Sequence, residues 1–148
     1  MKISAAVVVP AARERVFAAL VDPDVLRQAI PGCEELKAIG EDVYEARLKI
    51  GVAGLKGTYT GRAEIRERRP PDSLTLAFEG KGGPGFVRGT AAISLTDADG
   101  ATRVSSDADV QVGGLIAAVG SRLIEATARK LTDDFFRQLT DTIAAGTT

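Results

Sequence analysis

Residues 115–143 read LIAAVGSRLIEATARKLTDDFFRQLTDTI, and the periodicity of this stretch decides the fold. Leu115, Val119, Leu123, Leu131, Phe135, Leu139 and Ile143 fall on an i, i+4 row, with Ile116, Gly120, Ile124 and Ala128 beside it. Arg122, Glu125, Arg129, Lys130, Asp133, Asp134, Arg137 and Asp141 occupy the other side. The pattern predicts one amphipathic helix from Leu115 to about Ile143, about 45 Å long at a rise of 1.5 Å per residue. Such a helix needs a single large curved surface to cover its apolar stripe.

The chain before it supplies strands. From Glu34 to Val112 the hydrophobic period is two, with turn chemistry at Gly40-Glu41-Asp42, Gly51 to Gly54, Pro70-Pro71-Asp72, Lys81 to Gly85 and Asp97 to Gly100. Alternation assigns an inner face, on which Tyr44, Ala46, Leu48 and Ile50 continue into Tyr59, Gly61, Ala63 and Ile65. Three further rows follow: Leu74, Leu76, Phe78; Val87, Gly89, Ala91, Ile93, Leu95; and Val104, Ser106, Ala108, Val110, Val112. Upstream, Lys2 to Val9 reads as a first strand stopped by Pro10, and Arg13 to Leu20 as a short helix. Asp22-Pro23-Asp24 opens a second short helix, which Pro31-Gly32 ends. The expected fold is α+β: a curved antiparallel sheet of about seven strands around a long C-terminal helix, with two short helices after the first strand. A chain of 148 residues forms a single domain, residues 1–148.

Composition excludes several function classes. A net charge of −1, with both signs interspersed, carries no nucleic-acid footprint. Cys33 is the only cysteine, so no internal disulfide is expected and a cytoplasmic location is. No 18-residue apolar stretch is present. Histidine is absent, which removes the commonest metal ligand and neutral-pH general base, and no cofactor or metal is expected.

Gly61, Ala63, Gly89, Ala91, Ser106 and Ala108 are small residues on neighbouring inner rows. Close approach of the helix to the sheet explains them, and so does space left for a ligand. On the second reading, an apolar pocket is expected with Tyr44, Tyr59, Phe78, Ile93 and Val104 from the sheet and Leu123, Thr127 and Leu131 from the helix. Ser106 and the two tyrosine hydroxyls are its candidate polar contacts. A gate is expected in the glycine-rich Gly80 to Gly89 loop (Gly80, Gly82, Gly83, Gly85) and at Gly113-Gly114, with Phe86 as an apolar lid.

Two apparent motifs have plainer readings. Gly80 to Gly85 matches G-x-G-x-x-G, but no helix opens after it, so a dinucleotide site would lack its helix N-terminus. Asp97 to Gly100 resembles the start of a calcium loop, yet Ala108 stands where the twelfth-position glutamate belongs, and Asp-Gly is a hairpin signal. Cys33 after Pro31-Gly32 reads as a small packed group or a reactive thiol.

The stretches VVVPAARERVFAALVDPDVLRQAIPGCEEL (7–36), GKGGPGFVRGTA (80–91) and VQVGGLIAAVGSRLI (110–124) resemble the carbon monoxide dehydrogenase CoxG family of the START-like (SRPBCC), helix-grip superfamily. The Ile30 to Glu34 corner is the most specific of the three. The resemblance implies an accessory protein of a carbon monoxide dehydrogenase-type molybdenum hydroxylase. It also implies a cavity between helix and sheet for a hydrophobic molecule, lipid- or quinone-like, and a role in membrane recruitment. The sequence ends at Thr148 without the extension expected of a membrane-recruited member, so peripheral membrane contact has no tail to support it. Two functions stand open: a non-catalytic carrier that docks on a partner enzyme, and an enzyme of the polyketide cyclase or hydrolase type using Tyr44 or Tyr59. The strand centres place no Asp, Glu, Lys or Arg on the inner face, which favours the carrier.

Overall fold

The computed structural model of the chain describes residues 1–51 and 56–146. Strand β1 (Lys2–Val9) leads to helices α1 (Arg13–Leu20) and α2 (Pro23–Ala29). Strands β2 (Cys33–Gly40), β3 (Val43–Ile50), β4 (Gly57–Arg69), β5 (Ser73–Gly82), β6 (Gly85–Ala98) and β7 (Ala101–Gly113) follow. A 3-10 segment (Gly114–Val119) and helix α3 (Ser121–Ala145) complete the order. The strands form one seven-stranded sheet, β1-β7-β6-β5-β4-β3-β2, in which every neighbouring pair is antiparallel. This is the α+β helix-grip arrangement. The expected turn at 51–54 lies, beyond Gly51, outside the described residues.

Local chemistry sets the connections. The Asp22 carboxylate accepts a hydrogen bond from the Asp24 N–H at 2.9 Å and Pro23 opens α2, an N-cap that offsets an otherwise unpaired donor. Gly32 turns the chain from α2 into β2 at φ +74°, and a Cβ there would lie 2.2 Å from the Lys49 carbonyl oxygen, so only glycine passes that close to β3. Asp99 and Gly100 both have positive φ (51° and 89°) and join Ala98 to Ala101 as a two-residue hairpin.

Two expectations need correction. The long helix does not begin at Leu115: residues 114–119 are 3-10, Gly120 at φ +97° breaks the path, and α3 starts at Ser121. Its 25 residues span about 38 Å. The Gly80 to Gly89 region is not an open loop either. β5 and β6 pair continuously to Gly82 and Gly85, leaving Gly83-Pro84 as a tight turn.

The core is divided. A larger cluster joins Val9, Val16, Phe17, Leu20, Leu74, Leu95 and Val104 to Phe136, Leu139 and Ile143 of the C-terminal half of α3. A smaller one, Tyr59, Ile116 and Ile124, sits under the start of that helix. The closest backbone neighbours of α3 are α2 and β1. The helix therefore approaches the sheet at the edge strand β1 and stands off the concave face elsewhere.

Candidate ligand-binding site

Between the two clusters lies a cavity of ≈ 430 Å³. Register explains why it stays open. Ala63 on β4 stands between Tyr44 of β3 and Phe78 of β5, and Ala91 on β6 between Leu76 of β5 and Ala108 of β7. Rows that alternate large and small across neighbouring strands leave a trough in the concave face. Gly61, Ala63, Ala91, Ser106 and Ala108 all border it. Gly89 is small for a different reason: a Cβ there would meet the Asp109 carbonyl oxygen of β7 at 2.3 Å and the Phe78 ring of β5 at 3.1 Å. The close neighbours of Gly89 come from the adjacent strands and not from the helix.

Of the residues expected at the site, Tyr44, Tyr59, Phe78, Ile93, Ser106 and Leu131 border the cavity. Val104 is fully buried in the larger cluster, and Thr127 is buried in the helix without bordering the space. Leu123, in the first turn of α3, points to solvent at 43% exposure, whereas Ile124 beside it is buried. Phe86 alternates onto the outer face, where its ring lies against Gly113 and beneath the Arg88 guanidinium at 5.4 Å. It is no lid over the cavity. Of the glycines assigned to a gate, Gly80 borders the cavity, whereas Gly82 and Gly85 are held against the Thr58 and Gly113 carbonyls. Gly83 lies in the tight turn, and Gly113-Gly114 leads into the 3-10 segment.

Sequence reasoning missed part of the wall. Ile124, Ala128, Phe135 and Phe136 line it from α3, and Leu26, Ile30 and Pro31 from the α2 corner. Gly120 inside the periodic stretch was the available signal for the break before α3, since glycine within a helical pattern weakens the expectation that it continues. Phe135 and Phe136 meet edge to face with centroids 5.2 Å apart, and both line the cavity.

The electrostatics are those of an apolar container. Tyr44 donates weakly to the Val21 carbonyl at 3.5 Å. Burial, and then the nearby Asp42 carboxylate, push its pKa up, and burial raises that of Tyr59. Both phenols are protonated at neutral pH. Thr132 Oγ donates to the Ala128 carbonyl of its own helix at 2.8 Å, while the Ser106 hydroxyl makes no hydrogen bond among the described residues. Arg62 and Glu79 touch the rim, but alternation carries their side chains to the outer face. There they line a separate charged groove of ≈ 510 Å³ with Arg66 and Arg88. The Cys33 thiol is raised by burial and its Sγ lies 3.5 Å from the Glu35 carbonyl, so it is not an activated thiolate. Among the described residues no group of three or more His, Cys, Asp or Glu is placed to hold a metal ion, and no helix is long and apolar enough to cross a membrane.

Comparison with known proteins agrees with this architecture. Residues 6–144 match the family model of the carbon monoxide dehydrogenase G-subunit, CoxG. The fold is similar to that of a conserved protein from Geobacillus kaustophilus, with a TM-score of 0.95 and 36% identity over 98% of this chain and 96% of that one. It is also similar to a START superfamily protein from Mycobacterium smegmatis, with a TM-score of 0.77 and 14% identity over 99% of both chains. No protein of curated function matches the sequence.

Proposed function

This chain belongs to the carbon monoxide dehydrogenase CoxG family, and on that premise we propose that it is a non-catalytic carrier, holding a lipid- or quinone-like molecule for a carbon monoxide dehydrogenase-type molybdenum hydroxylase. One observation carries the reading: the ≈ 430 Å³ cavity, walled by strands, helix and corner with side chains that are almost all apolar. Pockets of this size and character suit small lipophilic ligands. Burial of apolar surface is worth roughly 25 cal/mol per Å², so an acyl or isoprenoid tail that fills the space reaches micromolar affinity with no charged anchor.

The inner face supports carrying over chemistry. General acid–base catalysis needs a proton donor and acceptor with separated pKa values facing one reacting group. The two inward tyrosines are both shifted the same way by burial, and among the described residues alternation points no strand Asp, Glu, Lys or Arg side chain into the cavity. Polar groups at the cavity then select among ligand head groups instead of supplying most of the affinity.

The test is to incubate the protein with a panel of quinones and acyl chains and to identify by mass both the retained and the recovered molecules. The carrier reading expects retention of a lipophile that is recovered unchanged. Recovery of an altered compound, abolished by Tyr44→Phe or Tyr59→Phe, would establish the cyclase-type alternative. Failure to retain any lipophile would leave only a docking role on the partner enzyme.

A further inference from the structure

The two edges of the sheet are finished differently. At β1, α3 packs beside the strand and its Arg129 guanidinium donates to the Ser4 carbonyl at 3.2 Å. At the other edge stands β2, most of whose residues are exposed, Ile39 at 45% among them. The ladder fixes which backbone groups of β2 are unused. The Ile65 N–H donates to the Asp42 carbonyl at 2.9 Å, and the Lys49 N–H to the Gly32 carbonyl at 2.8 Å. Bonded and non-bonded pairs alternate along antiparallel strands, so Tyr44 and Ala46 turn their backbone to β4, while Glu45 and Arg47 turn theirs to β2. Lys37 and Glu35 stand opposite those two and are bonded to β3. Leu36 and Ala38 therefore send N–H and C=O outward, and among the described residues no group of the chain meets them.

An edge strand with open backbone groups is a template for another strand, and the charges of β2 select which one. Three registers pair Leu36 or Ala38 with the same groups of a second β2 running antiparallel about a two-fold axis. With the axis on Lys37, the two lysines face each other. With the axis on Ala38, Lys37 faces Ile39 and Glu35 approaches the Glu41 turn. With the axis on Leu36, Glu35 of each copy faces Lys37 of the other, and Leu36 faces Leu36. Like charges directly opposite destabilise a strand pair and opposite ones stabilise it, so the third register alone is self-complementary. Lys37 is available for it: among the described residues it pairs only with Glu35 of its own strand, loosely at 4.0 Å, and it stays 60% exposed.

We infer that β2 is a homodimer interface, at which two copies of the chain join edge to edge about a two-fold axis at Leu36. The Leu36 N–H and C=O of each copy bond to those of the other, and two Glu35–Lys37 pairs flank them. Register shifts at Cys33/Glu35 and Ala38/Gly40 leave a short regular stretch between two bulges, so the association is weak and concentration-dependent. It also closes at two copies, because the axis uses both β2 edges and α3 occupies the β1 side. Leu36 borders the cavity, and in this register the two Leu36 side chains stand side by side on the concave face, so the seam runs beside both cavities. The dimer does not depend on what the cavity holds.

The test is native mass spectrometry and sedimentation velocity of the full chain over a concentration series, with thermal melts to establish that each variant remains folded. The dimer fraction of the wild type is expected to rise with concentration. Glu35→Lys and Lys37→Glu each turn two attractive pairs into two repulsive ones, so each variant alone should dimerise about tenfold more weakly or worse. The doubly substituted Glu35→Lys, Lys37→Glu chain keeps the wild-type net charge and should regain the dimer, and an equimolar mixture of the two single variants should form a one-to-one heterodimer. Wild type that stays monomeric throughout the series would overturn the inference. So would a dimer indifferent to both single substitutions, which would place the contact on another face, or single variants that neither the charge swap nor mixing restores. Binding of the β2 edge to a molybdenum hydroxylase subunit, sensitive to the same substitutions and without a dimer of this chain, would overturn it and give the edge to that partner.

Discussion

The backbone N–H of Ile116 donates to the carbonyl of Pro84 at 2.9 Å, tying the 3-10 segment to the β5–β6 turn and holding the Ile116 side chain, fully buried, against Tyr59 and Ile124. Ile116→Ala should cost about 2–4 kcal/mol in urea unfolding, the usual range for truncating a buried aliphatic side chain. It should also speed release of a bound apolar probe, because it opens the smaller cluster beside the cavity. Leu115→Ala, one residue away in solvent, should change stability by less than about 0.5 kcal/mol. Phe86→Ala should leave release unchanged, since its ring lies on the outer face beneath Arg88. Urea melts and stopped-flow displacement of the probe measure these effects.

Filling the trough should be cheap and should compete with the ligand. Ala63→Leu and Ala91→Leu add methylenes at positions that border open space, so each should cost less than the roughly 1–3 kcal/mol of overpacking a filled core, while weakening binding of an apolar probe. Gly89→Ala is the contrast. Its new Cβ would lie 2.3 Å from the Asp109 carbonyl oxygen, a backbone atom that cannot turn aside, so it should carry the full penalty. Thermal melts and probe titrations of the three variants decide the matter.

The chain has two tyrosines, and both face the cavity. Burial raises the pKa of each above that of free tyrosine, with Asp42 adding to the effect at Tyr44. For a raised folded-state pKa, the stabilisation is fully present below the unfolded value of about 10 and is lost as pH rises through the folded value. Phenolate absorbance should therefore appear later in the native protein than in the urea-unfolded chain, and stability should fall in alkali. A lipophile filling the cavity should delay ionisation further by excluding water.

Asp22 links a helix cap to the site. Its carboxylate caps α2, and Leu26, Ile30 and Pro31, on α2 and the corner after it, form part of the wall. Asp22→Ala should cost about 1 kcal/mol in urea unfolding, with a parallel loss of probe affinity as the corner loosens, whereas Asp22→Asn, which keeps an oxygen acceptor, should retain most of both.

The element order, the two faces of every central strand, the Asp22 cap, the Asp99-Gly100 hairpin and the small residues of the inner face were all legible in the sequence. Each depends on periods of two or 3.6, or on the chemistry of a few adjacent residues, and these act locally. The same local rules extended the long helix through Gly120 to Leu115, because Leu115, Val119 and Leu123 keep the i, i+4 spacing. Only the tertiary structure decided otherwise. Ile116 fills the space beside Tyr59 and Ile124, while Leu115, Val119 and Leu123 face water. Which small residue makes room and which receives a close neighbour was likewise undecidable from alternation, since Gly61 and Gly89 occupy equivalent inner positions along their strands. Strand pairing brings the Asp109 carbonyl against Gly89, while Gly61 borders the open trough.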